Sequence, residues 1–446
     1  MLKRKMHDSL LQWKMESQGK SALLIEGARR VGKSFIIQDF VKKAYQSAIV
    51  IDFSNLSGEI RDSFLHETQD LDLFFQRLSA YYNVRLYERQ SAIVFDEVQL
   101  LPQARQLVKH LVADGRYDYI ESGSLLSLKQ NVDGILLPSE EEHLKMYPMD
   151  FEEFLWAMGE ENLYPLIRSS FGEAKPLGPA LHRKTMNLYR QYIIIGGMPQ
   201  VVAEYVSSKD FLKADRIKRR ILTLYRADVS KFAKGYESKV LSIFDEIASQ
   251  LSKKERRFSL SSISKEARYR QYEDAFIWLK EAMIVNMAIN ATDPHVGLRA
   301  YEDRMTLKCY FADTGLLVSQ VLADKMETEH KLYKSLLFDK LEMNEGMFFE
   351  NVVAQMLTAS GHEGYFYSRV DRENADNTME IDFLIRQGSK ISTIEVKSSA
   401  YISHSSLNKF SRKFHRGLGT AYIVYTKDYM VKDGIHHIPA YMAGLL

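Results

Sequence analysis

Short, continuous apolar runs alternate with helical stretches through the first third of the chain. Ser21-Ala-Leu-Leu-Ile-Glu-Gly27, Ala48-Ile-Val-Ile-Asp-Phe53, Ser91-Ala-Ile-Val-Phe-Asp-Glu97 and Tyr117-Asp-Tyr-Ile-Glu-Ser-Gly123 lack the alternation of half-exposed strands. Such runs are expected of parallel strands covered on both faces by helices, and a helix is predicted from Lys33 to about Tyr45. After Tyr147 the pattern turns helical, through segments 149–158, 182–193 and 211–233. An apolar turn containing Gly196, Gly197 and Pro199 interrupts them and is read as structural.

Residues 236–320 read as a small α+β unit. Leu241, Phe244, Ala248 and Leu251 share one helical face, as do Tyr272, Phe276, Leu279 and Met283. Two short strands follow, at 283–290 and 306–313, so helices leading into a hairpin predict a winged helix. The tail from about Leu337 opens with an apolar helix over 346–361. Strand candidates follow at 364–369, 379–386, 390–398 and 420–426, as expected of an α/β domain in its own right.

Composition adds limits. The 446 residues are 46% hydrophobic, which is enough for packed cores and excludes disorder as the overall description. Sixty Lys and Arg against 58 Asp and Glu leave a formal charge of +2, so any basic surface must be local. The single cysteine, Cys309, forms no internal disulfide and points to a reducing compartment, the cytoplasm. No apolar run is long enough to span a bilayer, and residues 1–20 lack the apolar core of a signal peptide, so a soluble protein without a membrane partner is expected.

The sharpest chemical pattern is Gly27-Ala28-Arg29-Arg30-Val31-Gly32-Lys33-Ser34-Phe35, a G-x-x-x-x-G-K-[ST] loop between a strand and a helix. Its N–H groups and the helix N-terminus suit phosphate oxygens, Lys33 the β and γ phosphates of ATP, and the Ser34 hydroxyl the accompanying Mg2+. Ala92-Ile-Val-Phe-Asp96-Glu97 supplies the acids: Asp96 for the magnesium shell and Glu97 to polarise water. Ser122 ends the next strand, where it can sense the γ-phosphate; an ordinary strand-terminal serine is the other reading.

A second group lies in the tail: Glu350 on the apolar helix, Asp382, and Glu395-Val396-Lys397. Asp382 and Glu395 are 13 residues apart, which suits adjacent strands, and alternation puts Glu395 and Lys397 on one face. Three carboxylates and a lysine could gather Mg2+ or Mn2+ for phosphodiester hydrolysis, with Glu395 and Lys397 in catalytic roles and Glu350, Asp382 and Glu395 as ligands. A plain ion pair in an inactive domain is the alternative. Lys253-Lys254-Glu255-Arg256-Arg257, with Lys265, Arg268 and Arg270, suits nucleic-acid phosphates or simply solvates a helix. Lys218-Arg219-Arg220 is expected on an exposed helical face, and no histidine spacing, His436-His437 included, suggests a metal ligand set.

The loop at 27–34, the segment Phe95–Gln99, Ser122-Gly123-Ser124, Tyr147–Phe154 and Ile195–Pro199 together resemble an AAA-type ATPase family of bacteria and archaea. Its members carry a C-terminal domain of unknown function related to PD-(D/E)XK nucleases. The resemblance implies an α/β chain with a P-loop AAA-type parallel sheet (1–150), a helical region (151–235), a winged-helix-like domain (236–335) and a PD-(D/E)XK-like tail (336–446). It implies an ATP-binding module and a nuclease-like tail, and with the residue patterns above the expected function is ATP hydrolysis coupled to a DNA-binding, nuclease-like tail, with RNA also open. It further implies a homo-oligomer in which an arginine such as Arg105 or Arg116 completes a neighbour's site. The rival readings are a nucleotide-dependent switch and a DNA-binding scaffold with a silent tail.

Overall fold

The computed structural model describes residues 2–123, 139–253, 257–295, 297–322, 346–371, 373, 378–398 and 405–446. Ser124, Lys254, Glu255, Arg256 and the predicted start of the tail at Leu337 lie outside them. The chain forms two compact units, one mainly Lys3–Tyr147, the other mainly Pro148–Lys280 with Ile284–Leu446. No described helix is long and apolar enough to cross a membrane.

In the first unit, β1 (Ala22–Gly27), β2 (Ser47–Asp52), β3 (Ser91–Asp96), β4 (Asp118–Gly123) and β5 (Glu141–Met146) form a parallel sheet in the order β2-β3-β4-β1-β5. Every residue of β1, β3 and β4 is buried, because alternate side chains enter cores on opposite faces. Leu23, Ile25, Ala92 and Val94 pack with Leu10, Trp13, Ile37 and Phe40. Leu24, Ile93 and Phe95 pack on the other face with Phe64, Phe74, Val108 and Leu111. The strand β5 is too charged, Glu-Glu-His-Leu-Lys-Met, to read as a buried strand, and its place at the sheet edge is what tolerates that composition.

The second unit holds an eight-stranded mixed sheet. Its strands are β6 (Val285–Ala291), β7 (Glu302–Phe311), β8 (Tyr365–Arg369), β9 (Met379–Gln387), β10 (Lys390–Val396), β11 (Leu418–Tyr425), β12 (Met430–Lys432) and β13 (Ile435–Pro439). They lie in the order β12-β13-β11-β10-β9-β8-β6-β7. The hairpin predicted as the wing of residues 236–335 is thus the edge of the tail's sheet: β6 runs parallel to β8, with Ile289 opposite Tyr365 and Asn290 opposite Phe366. The expected division at 335/336 falls between strands of one sheet. The helix Glu237–Ser252 buries Val240, Ile243, Phe244 and Ile247, a stripe rotated by about one residue from the predicted one.

The Gly-Gly-Met-Pro turn joins the helices Pro179–Ile195 and Pro199–Ser208. Gly196 has φ +80°, and a Cβ there would strike the Asp313 carboxylate; one on Gly197 would strike the Met149 backbone. Asp313 accepts from Gly197 N at 2.5 Å and from Leu316 N at 3.0 Å, capping the helix Thr314–Val321. Nearby, Lys218 corrects the sequence reading: it is fully buried, donates to the Ile194 carbonyl at 2.8 Å, and lies 3.6 Å from Asp215. Its stem packs inside, and Asp215 with the helix-end carbonyl replaces the water it has lost.

Burial pushes the Asp313 carboxyl up to about 6, against the backbone N–H groups and Lys218 that favour its charge. The folded chain therefore holds this proton more tightly than the unfolded one, and the group's stabilising contribution is lost as pH rises from about 4 to about 6. Asp313→Asn removes the titration. Its stability relative to wild type should move in the variant's favour across that window and stay constant above it, as read by thermal melts at several pH values.

Candidate functional site

The candidate phosphate-binding loop and the acidic pair lie at the carboxyl ends of β1, β3 and β4, the side of a parallel sheet on which loops and helix N-termini face a ligand. Gly27 ends β1, and a Cβ on it would lie 2.6 Å from the Met146 carbonyl oxygen. Gly32 caps the helix Lys33–Ala44 at φ +102°, a conformation that glycine supplies without strain. Ala28 and Val31 are buried anchors, while Arg29, Arg30 and Phe35 are exposed at the mouth.

Lys33 folds back into the loop and donates to the carbonyls of Gly27 at 2.8 Å and Ala28 at 3.2 Å. Burial lowers its pKa, and Glu97 and Asp96 oppose that shift. Ser34 Oγ donates to Asp96 Oδ1 at 2.9 Å, and Ser122 Oγ donates to the same oxygen. The Glu97 N–H donates to Ser122 Oγ at 3.3 Å. The sheet order explains this meeting, since β4 lies between β1 and β3 and brings Ser122 between the loop and the acidic pair. Glu97 itself has φ +56°, which turns the chain sharply off β3.

Sequence reasoning gave no separate role to Gln99, whose Nε2 donates to Glu97 Oε2. The two candidate arginines are both engaged inside the chain. Arg105 is buried and donates through Nε and Nη2 to Glu141 at 2.9 and 2.6 Å. Arg116 is held by Asp114 and Asp72.

The residues present fit the magnesium ion expected with ATP: a serine hydroxyl and a carboxylate converge beside a loop whose glycine leaves no room for a side chain. Ser34 and Asp96 would hold the ion, which offsets phosphate charge.

In the tail, Glu350 lies on the helix Gly346–Ala359, Asp382 on β9, Glu395 on β10 and Lys397 just beyond it. Glu395 and Lys397 form the expected same-face pair at 2.6 Å. The intervening Val396 is half-buried, and its N–H donates to Asp382 Oδ2 at 2.8 Å. A pocket of about 300 Å3 gathers Glu350, Asp382 and Lys397 with Arg257, Lys308 and Glu380; Glu395 does not line it.

Lys308, from β7, is the feature the sequence did not reveal. Its ammonium lies 3.0 Å from Glu350, 2.9 Å from Glu380 and 3.6 Å from Asp382. Tyr310, two residues on, donates to Glu350 at 2.5 Å. Burial, then the neighbouring Glu350, pushes the Asp382 carboxyl up to about 7 against the pull of Lys308. The only available signal was strand alternation pairing Lys308 with Tyr310, and nothing linked β7 to the tail. Among the described residues no three His, Cys, Asp or Glu side chains are disposed to hold a metal. The tail residues, with an ammonium already among them, do not fit the expected Mg2+ or Mn2+.

Residues 19–155 match the family described as AAA domain. Residues 186–327 and 345–442 match two domains of unknown function, DUF8612 and DUF4143. A Haemophilus influenzae protein described as uncharacterized is 22% identical over 213 residues, 46% of this chain and 50% of that protein. The chain thus matches half the length of that relative. A Walker-type ATPase of Pyrococcus abyssi aligns at 16% identity and TM-score 0.43, over 72% of this chain and 96% of that one. The Holliday junction branch migration motor RuvB of Thermotoga maritima aligns at 13% identity and TM-score 0.29, over 64% and 89%. The parallel sheet, the loop at 27–34 and the family match to 19–155 make the first unit an AAA-type P-loop fold, and the tail carries a DUF4143 domain.

Proposed function

We propose that the chain binds and hydrolyses ATP in its first unit and binds nucleic-acid phosphates in its second. The observation that carries the first part is the convergence of Lys33, Ser34, Asp96 and Ser122 at the ends of three adjacent strands. Lys33 satisfies two loop carbonyls, and phosphate oxygens would replace them as its partners. Loop N–H groups from 28 to 34 cradle the phosphates. Glu97 orients the attacking water and takes its proton, Ser122 reports on the terminal phosphate, and inorganic phosphate leaves. Exposed Phe35 offers an apolar edge to the nucleotide.

For the second unit, support comes from the placement of Arg257. It ends the basic run at 253–257 and lines the same pocket as Lys308 and Lys397, although 140 residues separate it from Lys397. Arg257 and Lys397, drawn from distant segments to one concavity, suit a phosphate backbone, while Lys308 is engaged by the carboxylates of the pocket itself. A homo-oligomer remains part of the proposal.

Glu97→Gln tests the hydrolytic reading: kcat for ATP should fall by about 100-fold while KM changes little, since the change spares the phosphate contacts. Wild-type hydrolysis rates in Glu97→Gln would remove Glu97 from the chemistry. Binding of DNA that weakens steeply with salt, in either protein, tests the second part; no DNA or RNA binding at low salt would remove it.

A further inference from the structure

We infer that Lys308 is the resident cation of the tail pocket and excludes a divalent metal from the junction of Glu350, Glu380 and Asp382, where two of the three ligands expected from the carboxylate pattern stand. Only the nature of the pocket's occupant rests on the nucleic-acid reading above; the exclusion of metal does not.

The argument is one of space and charge. Glu350 reaches the pocket from the helix Gly346–Ala359, and Glu380 and Asp382 from β9. A magnesium or manganese ion at this junction would draw an oxygen from each to about 2.1 Å. Lys308 Nζ already stands within 3.0, 2.9 and 3.6 Å of those same three side chains. The volume that a metal would take is filled by a nitrogen carrying a positive charge.

Lys308 cannot easily swing clear. Its side chain is 6% exposed, it lies inside β7, and the Phe366 ring is 5.4 Å from its ammonium. The second Asp382 oxygen is taken by the Val396 N–H, and Tyr310 holds Glu350. A buried ammonium among carboxylates is also hard to dispense with, because removing it leaves like charges facing one another without water. Lys308 therefore does permanently, as part of the fold, what a bound metal would do conditionally: it offsets negative charge in the cluster. A pocket built in this way presents Lys397 and Arg257 to an anion without needing a metal cofactor.

The test is Mn2+ binding to the full chain without nucleotide or nucleic acid, followed by titration calorimetry and electron paramagnetic resonance. Wild type should bind no more Mn2+ than the Glu350→Gln/Asp382→Asn variant, which sets the background of the rest of the surface. Lys308→Gln should gain one site about tenfold or more above that background, and lose it again when Asp382→Asn is added. Lys308→Arg, which keeps the cation, should gain nothing. A wild-type Mn2+ site abolished by Glu350→Gln/Asp382→Asn would overturn the inference. So would a folded Lys308→Gln that gains no site, or a gain in Lys308→Arg. Should Lys308→Gln fail to fold, the comparison of wild type with Glu350→Gln/Asp382→Asn still decides. Nucleic-acid binding is measured separately, so its absence would remove the phosphate-binding reading while leaving the metal result standing.

Discussion

Lys33→Ala is expected to lower kcat/KM for ATP by about 100- to 1,000-fold, with nucleotide binding weakened to match. The magnitude follows from removing one charged donor from a preorganised phosphate site, which costs about 3–4 kcal/mol of transition-state stabilisation. The loop itself should survive. Lys33 is buried and desolvated, and its two partners are carbonyls that water can reach once the side chain is gone. The melting temperature should therefore change little, which separates loss of chemistry from loss of fold. Fluorescent-nucleotide titration together with a phosphate-release assay provides the check, and ATP turnover within threefold of wild type would dismiss the loop at 27–34 as the catalytic site.

The largest structural effect is expected at Gly197. Its Cα hydrogen faces the Met149 backbone so closely that Gly197→Ala would drive a methyl group into the Met149 carbonyl oxygen, and the contact is backbone against backbone. Neither side can rotate away. Met149 N donates to the Gly197 carbonyl at 2.7 Å, and Tyr192 OH donates to the Met149 carbonyl at 2.8 Å, so relief would break bonds already made. The second unit should lose about 3 kcal/mol or more, a fall of roughly 6–10 °C in its melting temperature. Gly172→Ala is the control, since a Cβ there meets nothing within 4 Å. Equal melting temperatures for the two variants would mean that the turn is not the close-packed junction described.

The same turn shows where sequence reading succeeds. Gly196, Gly197 and Pro199 between two amphipathic helices announced a structural turn, because glycine and proline punctuate chains for reasons local to the backbone. The site at 27–34 was legible for a related reason: phosphate recognition uses consecutive residues, and four of them are fixed. Ser122 could be nominated but not placed, since its value depends on β4 lying between β1 and β3, and sheet order is not written in any one segment. Lys218 was misjudged because a charge on an amphipathic helix is ordinarily solvated, and only the third dimension supplied the Ile194 carbonyl and Asp215. The hairpin at β6 and β7 misled most. Its local pattern is that of any hairpin, and its partner β8 is remote in the chain.

That remoteness governs how the molecule is made. Tyr365, at the start of β8, follows Phe311, at the end of β7, by 54 residues. At about 5–20 residues per second, a translating ribosome delivers β8 roughly 3–10 seconds after the hairpin is complete. Throughout that interval the free side of β6 is an open template for any passing strand. The nascent chain must therefore either hold the hairpin against its preceding helices or have it shielded by a chaperone, and the second unit can close its sheet only once synthesis has moved well into the tail.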